Sequence, residues 1–569
     1  CPPDKKPDVP DAGFTIPRYT PRWAFEPWIS KDISTGPDTY DFVDGFRARD
    51  IPVGVVVLDS PWATHYNTFI PNPTRYPEFG KMVADLRERN VRVVLWTTQM
   101  INEASFDVET GGDRYVGAAP KFYEGKRNGY YVNDGALETW WKGQGCAVDF
   151  FNPDASKWWR AQQDMLLDLG VAGWKLDFGE NYITRLPMKT AAGMKTLQEY
   201  SEQYYFDFLE HGLQRRGQRE FLTMVRPYDK SYVHEGRFFA RPEHAPVGWV
   251  GDNRRDWVGL EDALDHLFRS ARHGYVMIGS DLGGYLDVDD IDLTIKVPFS
   301  QVNFVRWVAQ GAMTPFMQLH GRGNLTPWTV SERTDETVAT YRYWAKLHHQ
   351  LVPFNFSTAE EAYAGAPVPM QPIGEEADWA GDYRYVLGDA FLVAPILDDT
   401  GIRDVPLPAG TRWIDWWSST VHEGGTTLSG YDSSDRSRIP LFVKEGAVIP
   451  LEVSDDSTGL GSASSAGRLT VLAYPSMTRT SFRLHETDGE ITELSAVRDA
   501  SSTTVTLSRA PRGSVVRVWT QTRVVTSVAG LSEHATRAAF DAAESGWFKD
   551  GAFTWVRAPA GVTEFRLEH

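Results

Sequence analysis

The chain has 569 residues, with 58 lysines and arginines against 76 aspartates and glutamates, a formal net charge of −18. That length exceeds what one hydrophobic core fills, so several domains are expected. An acidic surface repels phosphate backbones, which excludes nucleic acid as a partner and a polybasic membrane tether with it. No apolar run is long enough to span a bilayer, and two cysteines exclude a disulfide scaffold or an all-thiolate metal site.

Residues 1–22 open Cys1-Pro-Pro-Asp-Lys-Lys-Pro, rich in proline and with almost nothing to bury, and read as an extended tether. A cysteine at the head of such a tether matches the mature end of an exported bacterial lipoprotein. A lipid anchor at Cys1 and a periplasmic or cell-surface location are therefore expected. Cys146 reads as a small buried hydrophobe.

From 23 to 350, short apolar runs alternate with amphipathic stretches. The run Ile51–Leu58 and the strand Val91–Trp96 flank a helix at 79–90. Helices at 154–169 and 196–216 precede the strands Gly173–Asp177 and Phe221–Val225. Such alternation predicts a parallel sheet, and this length with acidic groups at strand ends predicts a (β/α)8 TIM barrel with insertions. From 351 the helical period fades into short Val/Thr/Leu strands between turns, which predicts all-β sandwich domains at 351–455 and 456–569.

Aromatic residues make up 13% of the chain, 21 of them tryptophan. Aromatic faces among carboxylates suit sugars, although a large aromatic core accounts equally well for the count. Two segments carry the chemistry. In Gly173-Trp-Lys175-Leu-Asp177-Phe-Gly-Glu180, strand alternation puts Lys175 and Asp177 on one face. At a barrel mouth this would be an ionised carboxylate with a cation nearby, as a nucleophile requires; a salt bridge at the rim has the same pattern. In Pro246-Val-Gly-Trp249-Val-Gly-Asp252-Asn253, an acid follows a tryptophan in apolar surroundings of the kind that favour a protonated general acid. A turn or helix-capping aspartate would look alike. Together the two carboxylates are the parts of a glycoside-hydrolysing site. No cluster has metal-ligand spacing, so neither metal nor cofactor is expected.

The ordered segments closely resemble glycoside hydrolase family 31, the retaining α-glycosidases. Leu58-Asp59-Ser-Pro-Trp62 resembles a barrel strand end of that family. Lys175–Glu180 is similar to its nucleophile strand in the α-xylosidase-like branch, and Trp249–Asn253 to its acid/base motif. Gly279-Ser-Asp281-Leu-Gly-Gly-Tyr285 and Pro315-Phe316-Met-Gln-Leu-His320 resemble further strand ends. Gly388–Pro395 and Ile439–Pro450 resemble its proximal β-domain. The resemblance implies Asp177 as nucleophile and Asp252 as acid/base. It implies Asp59, Arg226 and His320 as partners of sugar hydroxyls, and Trp62, Trp96, Lys175, Trp249, Asp281, Tyr285 and Phe316 around the subsite. The substrate would be an oligosaccharide or other α-glycoside, and a retaining mechanism expects the carboxyls about 5–5.5 Å apart.

Three departures from the family pattern stand out. Barrel-like sequence begins near residue 23, where the family usually places a β-sandwich first; the aromatic insertion Tyr115–Gln144, with Tyr130-Tyr131 and Trp140-Trp141, is the expected substitute for that pocket wall. The segment after Arg226 is long and holds Arg237 and Arg241, so any of the three could face the sugar, Arg226 being favoured by its strand-end position. Ser60-Pro61 stands where the α-xylosidase-like branch is bulkier, which leaves room for a hydroxymethyl group and points to an α-glucoside or α-galactoside. The same scaffold could serve an α-xylosidase, an α-transglycosylase or a non-catalytic glycan-binding lipoprotein, and extra cations near Asp252 leave an anionic sugar open. Oligomeric state is not legible.

Overall fold

A computed structural model describes residue 16 and residues 18–232, 236–290 and 292–569. The anchor at Cys1 and most of the expected tether lie outside the described residues, but the tether's last residues are packed rather than extended away: Thr20 is buried and donates to the Pro246 carbonyl at 2.6 Å, and Arg22 opens a short 3-10 helix. Eight parallel strands form the main sheet: β1 (Trp28–Lys31), β2 (Val55–Leu58), β3 (Arg92–Thr97), β4 (Gly173–Leu176), β5 (Leu222–Val225), β6 (Val247–Trp249), β7 (Ile278–Gly279) and β8 (Gln318–Leu319). Their order is β7-β6-β5-β4-β3-β2-β1-β8, and a single parallel bridge between Asp281 and Gln318 brings the first and last strands together. This is a nearly closed TIM barrel, as the alternation predicted.

Local sequence explains the elements. All four residues of β2, Val-Val-Val-Leu, are buried, as strands covered on both faces require. The helix Phe79–Glu88 buries Phe79, Met82, Val83 and Leu86, one helical stripe. Asn152 caps the helix Pro153–Asp168, whose leading proline suits a first turn. Thr196 and Glu199 form a reciprocal capping box on Leu197–Arg216. Residues 51–54 stay outside β2, which begins only at Val55.

Compactness divides the chain into two units, one built mainly on Val55–Trp249 and the other on Val250–His569. The first carries the large insertion after β3. Its strands Met100–Phe106, Arg114–Tyr115, Glu138–Trp140 and Gly143–Ala147 form a separate antiparallel sheet. In the second, a helix at Val352–Tyr363 follows the point where helical periodicity fades in the sequence; Pro353 is compatible with its first turn. Beyond it come a six-stranded sheet with a small core around Trp413 and Phe442, then two five-stranded sheets closing over Val471, Val516, Leu494 and Phe565. Val448–Leu451, grouped by sequence with the proximal module, already pairs with Leu469–Ala473 of the distal sheets. No helix among the described residues is long and apolar enough to cross a membrane.

Candidate active site

Asp177 sits one residue past β4, at the strand end where barrel chemistry collects. Its Oδ1 accepts from the Phe178 amide at 2.9 Å and from the Arg226 guanidinium, with Nε at 3.1 Å and Nη2 at 3.0 Å. Its Oδ2 accepts from the Trp96 indole N–H at 3.0 Å. Tyr204, reaching in from the helix Leu197–Arg216, donates to the Asp177 carbonyl at 3.1 Å. The carboxylate is thus held on both oxygens and through its backbone, with only a small part of it exposed.

The cation beside it is not the one alternation suggested. Lys175 Nζ turns to Asp59 Oδ2 at 2.6 Å, and Asp59 Oδ1 is fixed by the Ser60 amide at 2.8 Å. Arg226 takes the place beside Asp177 instead. It is fully buried, lies over the rings of Phe178 (3.9 Å) and Trp249 (4.4 Å), and forms a second short ion pair with Asp229. Trp249 also receives Lys175 Nζ at 4.8 Å from its ring. The other two arginines are committed elsewhere: Arg237 to Glu180 (3.2 Å) and Asn181 (3.0 Å), Arg241 to Glu202 (2.7 Å). Burial pushes the Glu180 carboxyl above the usual range, with Arg237 and the Ser201 hydroxyl pulling the other way.

Trp96 lies against Asp177, whereas Trp62 lies behind it. Trp62 is fully buried, donates its N–H to the Trp96 carbonyl at 2.6 Å and packs on Phe79 and Trp174. Its surroundings are those of core rather than of a sugar wall.

In the second unit, Asp252 lies in the irregular segment between β6 and the helix Trp257–Arg272 and is partly exposed. Around it the Asn253 carbonyl accepts from the Leu286 amide at 3.1 Å, and Arg255 pairs with Asp287 at 2.6 Å. Burial raises the nearby Asp292 carboxyl above the usual range, Arg322 opposes, and the charges of Asp290 and Asp252 add to the rise. Asp281 and His320 are buried together, with His320 Nδ1 3.4 Å from Asp281 Oδ2, while Gln318 donates to Asp281 Oδ1 at 2.7 Å. Tyr285 packs on His320 at 4.8 Å, and Phe316 stands edge-on to Trp28 at 5.1 Å.

Sequence reasoning missed Asp229 and Tyr204. Asp229, three residues after Arg226, had a local signal, since a buried arginine needs a carboxylate partner. Tyr204 had none.

Buried, cation-paired carboxylates thus stand among aromatic rings at the strand ends, where a (β/α)8 enzyme places its chemistry. Residues 17–358 match the TIM-barrel domain of glycosyl hydrolases family 31, and residues 366–449 match that family's C-terminal domain. The first match alone covers more than half of the chain, and the chain belongs to glycoside hydrolase family 31. Among curated relatives, an α-xylosidase of Emericella nidulans is 25% identical over 76% of this chain and 54% of its own length. An α-glucosidase 2 of Bacillus thermoamyloliquefaciens is 27% identical over 76% and 53%. The chain therefore spans about half the length of the curated relatives it matches. A cycloalternan-forming enzyme of Listeria monocytogenes, solved with a pentasaccharide substrate, shares the fold with a TM-score of 0.81 at 21% identity, covering 96% of this chain and 54% of that one.

Proposed function

We propose that the protein is a retaining α-glycoside hydrolase that removes a non-reducing terminal hexose, with Asp177 as nucleophile and Asp252 as acid/base. The observation that carries the reading is the fixed carboxylate of Asp177 at the end of β4. Two groups, a guanidinium and a backbone amide, load Oδ1, whereas Oδ2 accepts only the Trp96 N–H among the described residues. The second lone pair of Oδ2 is therefore the one left for attack on the anomeric carbon. As that bond forms, the bond to the leaving oxygen breaks and Asp252 delivers its proton to it. Water then loses a proton to Asp252 as its oxygen attacks the same carbon, and Asp177 is released with net retention.

Two further features favour a hexose. Ser60 beside Asp59 is small, which suits a hydroxymethyl group, and the curated relatives include an α-glucosidase. The α-glucoside is the leading substrate, with the α-galactoside next. A panel of p-nitrophenyl α-glycosides read by proton NMR tests this: the glucoside should be hydrolysed with α-glucose as first product. Turnover of the xyloside alone would remove the hexose assignment, and a β first product would remove the retaining mechanism. Trapping with 5-fluoro-α-D-glucosyl fluoride, followed by peptide mapping, should label Asp177.

A further inference from the structure

We infer that Trp141 is the stacking platform for the sugar next to the one held at Asp177, the leaving-group unit in cleavage and the acceptor in transfer. This rests on the reading of Asp177 as the reacting carboxylate. A ladder of indoles runs from β3 into the insertion that follows it. Trp96, bonded to Asp177, is stacked parallel to Trp140 at 6.4 Å, and Trp141 meets Trp96 edge-on at 6.2 Å and Trp140 at 5.0 Å. Trp141 also touches Phe178, the residue after Asp177, at 5.9 Å, and Tyr182 at 4.9 Å. It is thus one ring removed from the carboxylate by two independent routes.

The three indoles are not equivalent. Trp96 and Trp140 are buried, and both N–H groups are used, the first on Asp177 and the second on Asn102 Oδ1 at 2.7 Å. Trp141 is partly exposed, and its N–H has no hydrogen-bond partner among the described residues. A partly exposed indole with an unused donor matches what a pyranose offers, a C–H face with hydroxyls at its rim.

The chain also holds this ring still. Trp140 pairs with Gly143, so Trp141 and Lys142 are the two tip residues of a hairpin. Lys142 points inward and is buried, with Nζ 2.9 Å from Asp107 and 2.7 Å from Glu109. The Lys142 carbonyl accepts from Asn102 at 2.9 Å, and the Trp141 carbonyl from the Val108 amide at 3.2 Å. Gly143, at φ +136°, lies so close to the Ala104 carbonyl that a Cβ there would be 2.1 Å from it. One tip residue is an anchor and the other is displayed. A pre-ordered aromatic binds a sugar without the cost of ordering a loop.

The test compares wild type with Trp141→Ala and Trp141→Tyr, using maltotriose and isomaltotriose against α-D-glucosyl fluoride, which has the same reacting sugar and no second one. The ratio of kcat/KM on either trisaccharide to that on the fluoride should fall about tenfold in Trp141→Ala and largely recover in Trp141→Tyr. Equal losses on all three substrates, or no loss on any, would overturn the proposal. Calorimetric titration of the trisaccharides into Asp177→Asn, with and without Trp141→Ala, keeps the two readings apart. Full activity retained in Asp177→Asn defeats the Asp177 reading; trisaccharide affinity unchanged by Trp141→Ala defeats this one.

Discussion

The two carboxylates assigned to catalysis live in contrasting surroundings. Asp177 is clamped by Trp96, Arg226 and its neighbour's amide, on a strand end with its backbone held by Tyr204. Asp252 is partly exposed on an irregular segment, among the further carboxylates Asp287, Asp290 and Asp292. The difference fits the division of labour proposed for them. A nucleophile must stay ionised and aimed at one atom, whereas an acid/base must exchange its proton with water in each cycle.

The largest expected effect comes from breaking the clamped side. Asp177→Asn should lower kcat by roughly ten-thousand-fold on trisaccharide and on α-glucosyl fluoride alike, read by glucose release. Retained activity would end its role. Asp252→Asn should cost roughly a hundred- to ten-thousand-fold on the trisaccharide. It should cost far less in the first step with the fluoride, whose leaving group needs no proton; equal losses on both would erase the contrast. The clamp itself is sharpened by Trp96→Phe, which deletes the donor to Oδ2 and keeps the ring. A bond to a charged acceptor contributes about 1.5–3 kcal/mol, so kcat/KM of the folded enzyme should fall roughly ten- to a hundredfold, while the smaller ring in a buried place should lower the thermal midpoint somewhat.

The smallest effect guards the comparison against a folding artefact. His348, buried in the helix Thr334–Gln350 with Nδ1 against the Ala312 carbonyl at 2.9 Å, is held by burial down at about 4. Its unfolded imidazole takes a proton below about 6.5 and the folded one does not. The contribution to stability is therefore complete above pH 6.5 and is lost as pH falls toward 4, by about 3 kcal/mol at most. Urea midpoints should drop between pH 7 and 5 in the wild type and less in His348→Gln. An acid loss of activity that tracks those midpoints reports unfolding rather than a change in the site.

The barrel was legible in the sequence because its signals are local: apolar runs of strand length, amphipathic helices between them, acids just beyond. Asp177 was legible for the same reason, since strand end and carboxylate are neighbours. Partners were not. Alternation showed which face Lys175 occupies but not that Asp59, 116 residues away, would take its charge. Nor could it show that Arg226 would stand in, or that a helix tyrosine would hold the Asp177 carbonyl. The insertion was visible as an aromatic-rich stretch. Which of its tryptophans is displayed depends on the Trp140–Gly143 pairing and on the buried ion pairs of Lys142, and neither has a local signature.

Arg226 is shared between two carboxylates, Asp177 and Asp229, inside a sheath of Phe178 and Trp249. A carboxylate at the reacting carbon would suit a sugar ring that turns positive as its bond breaks. Once Asp177 is esterified its charge is gone, yet Arg226 still has Asp229, so no cation is stranded in a dry interior. Asp229, which touches no reacting atom in the proposed mechanism, is what would keep the Arg226 charge paired at that stage.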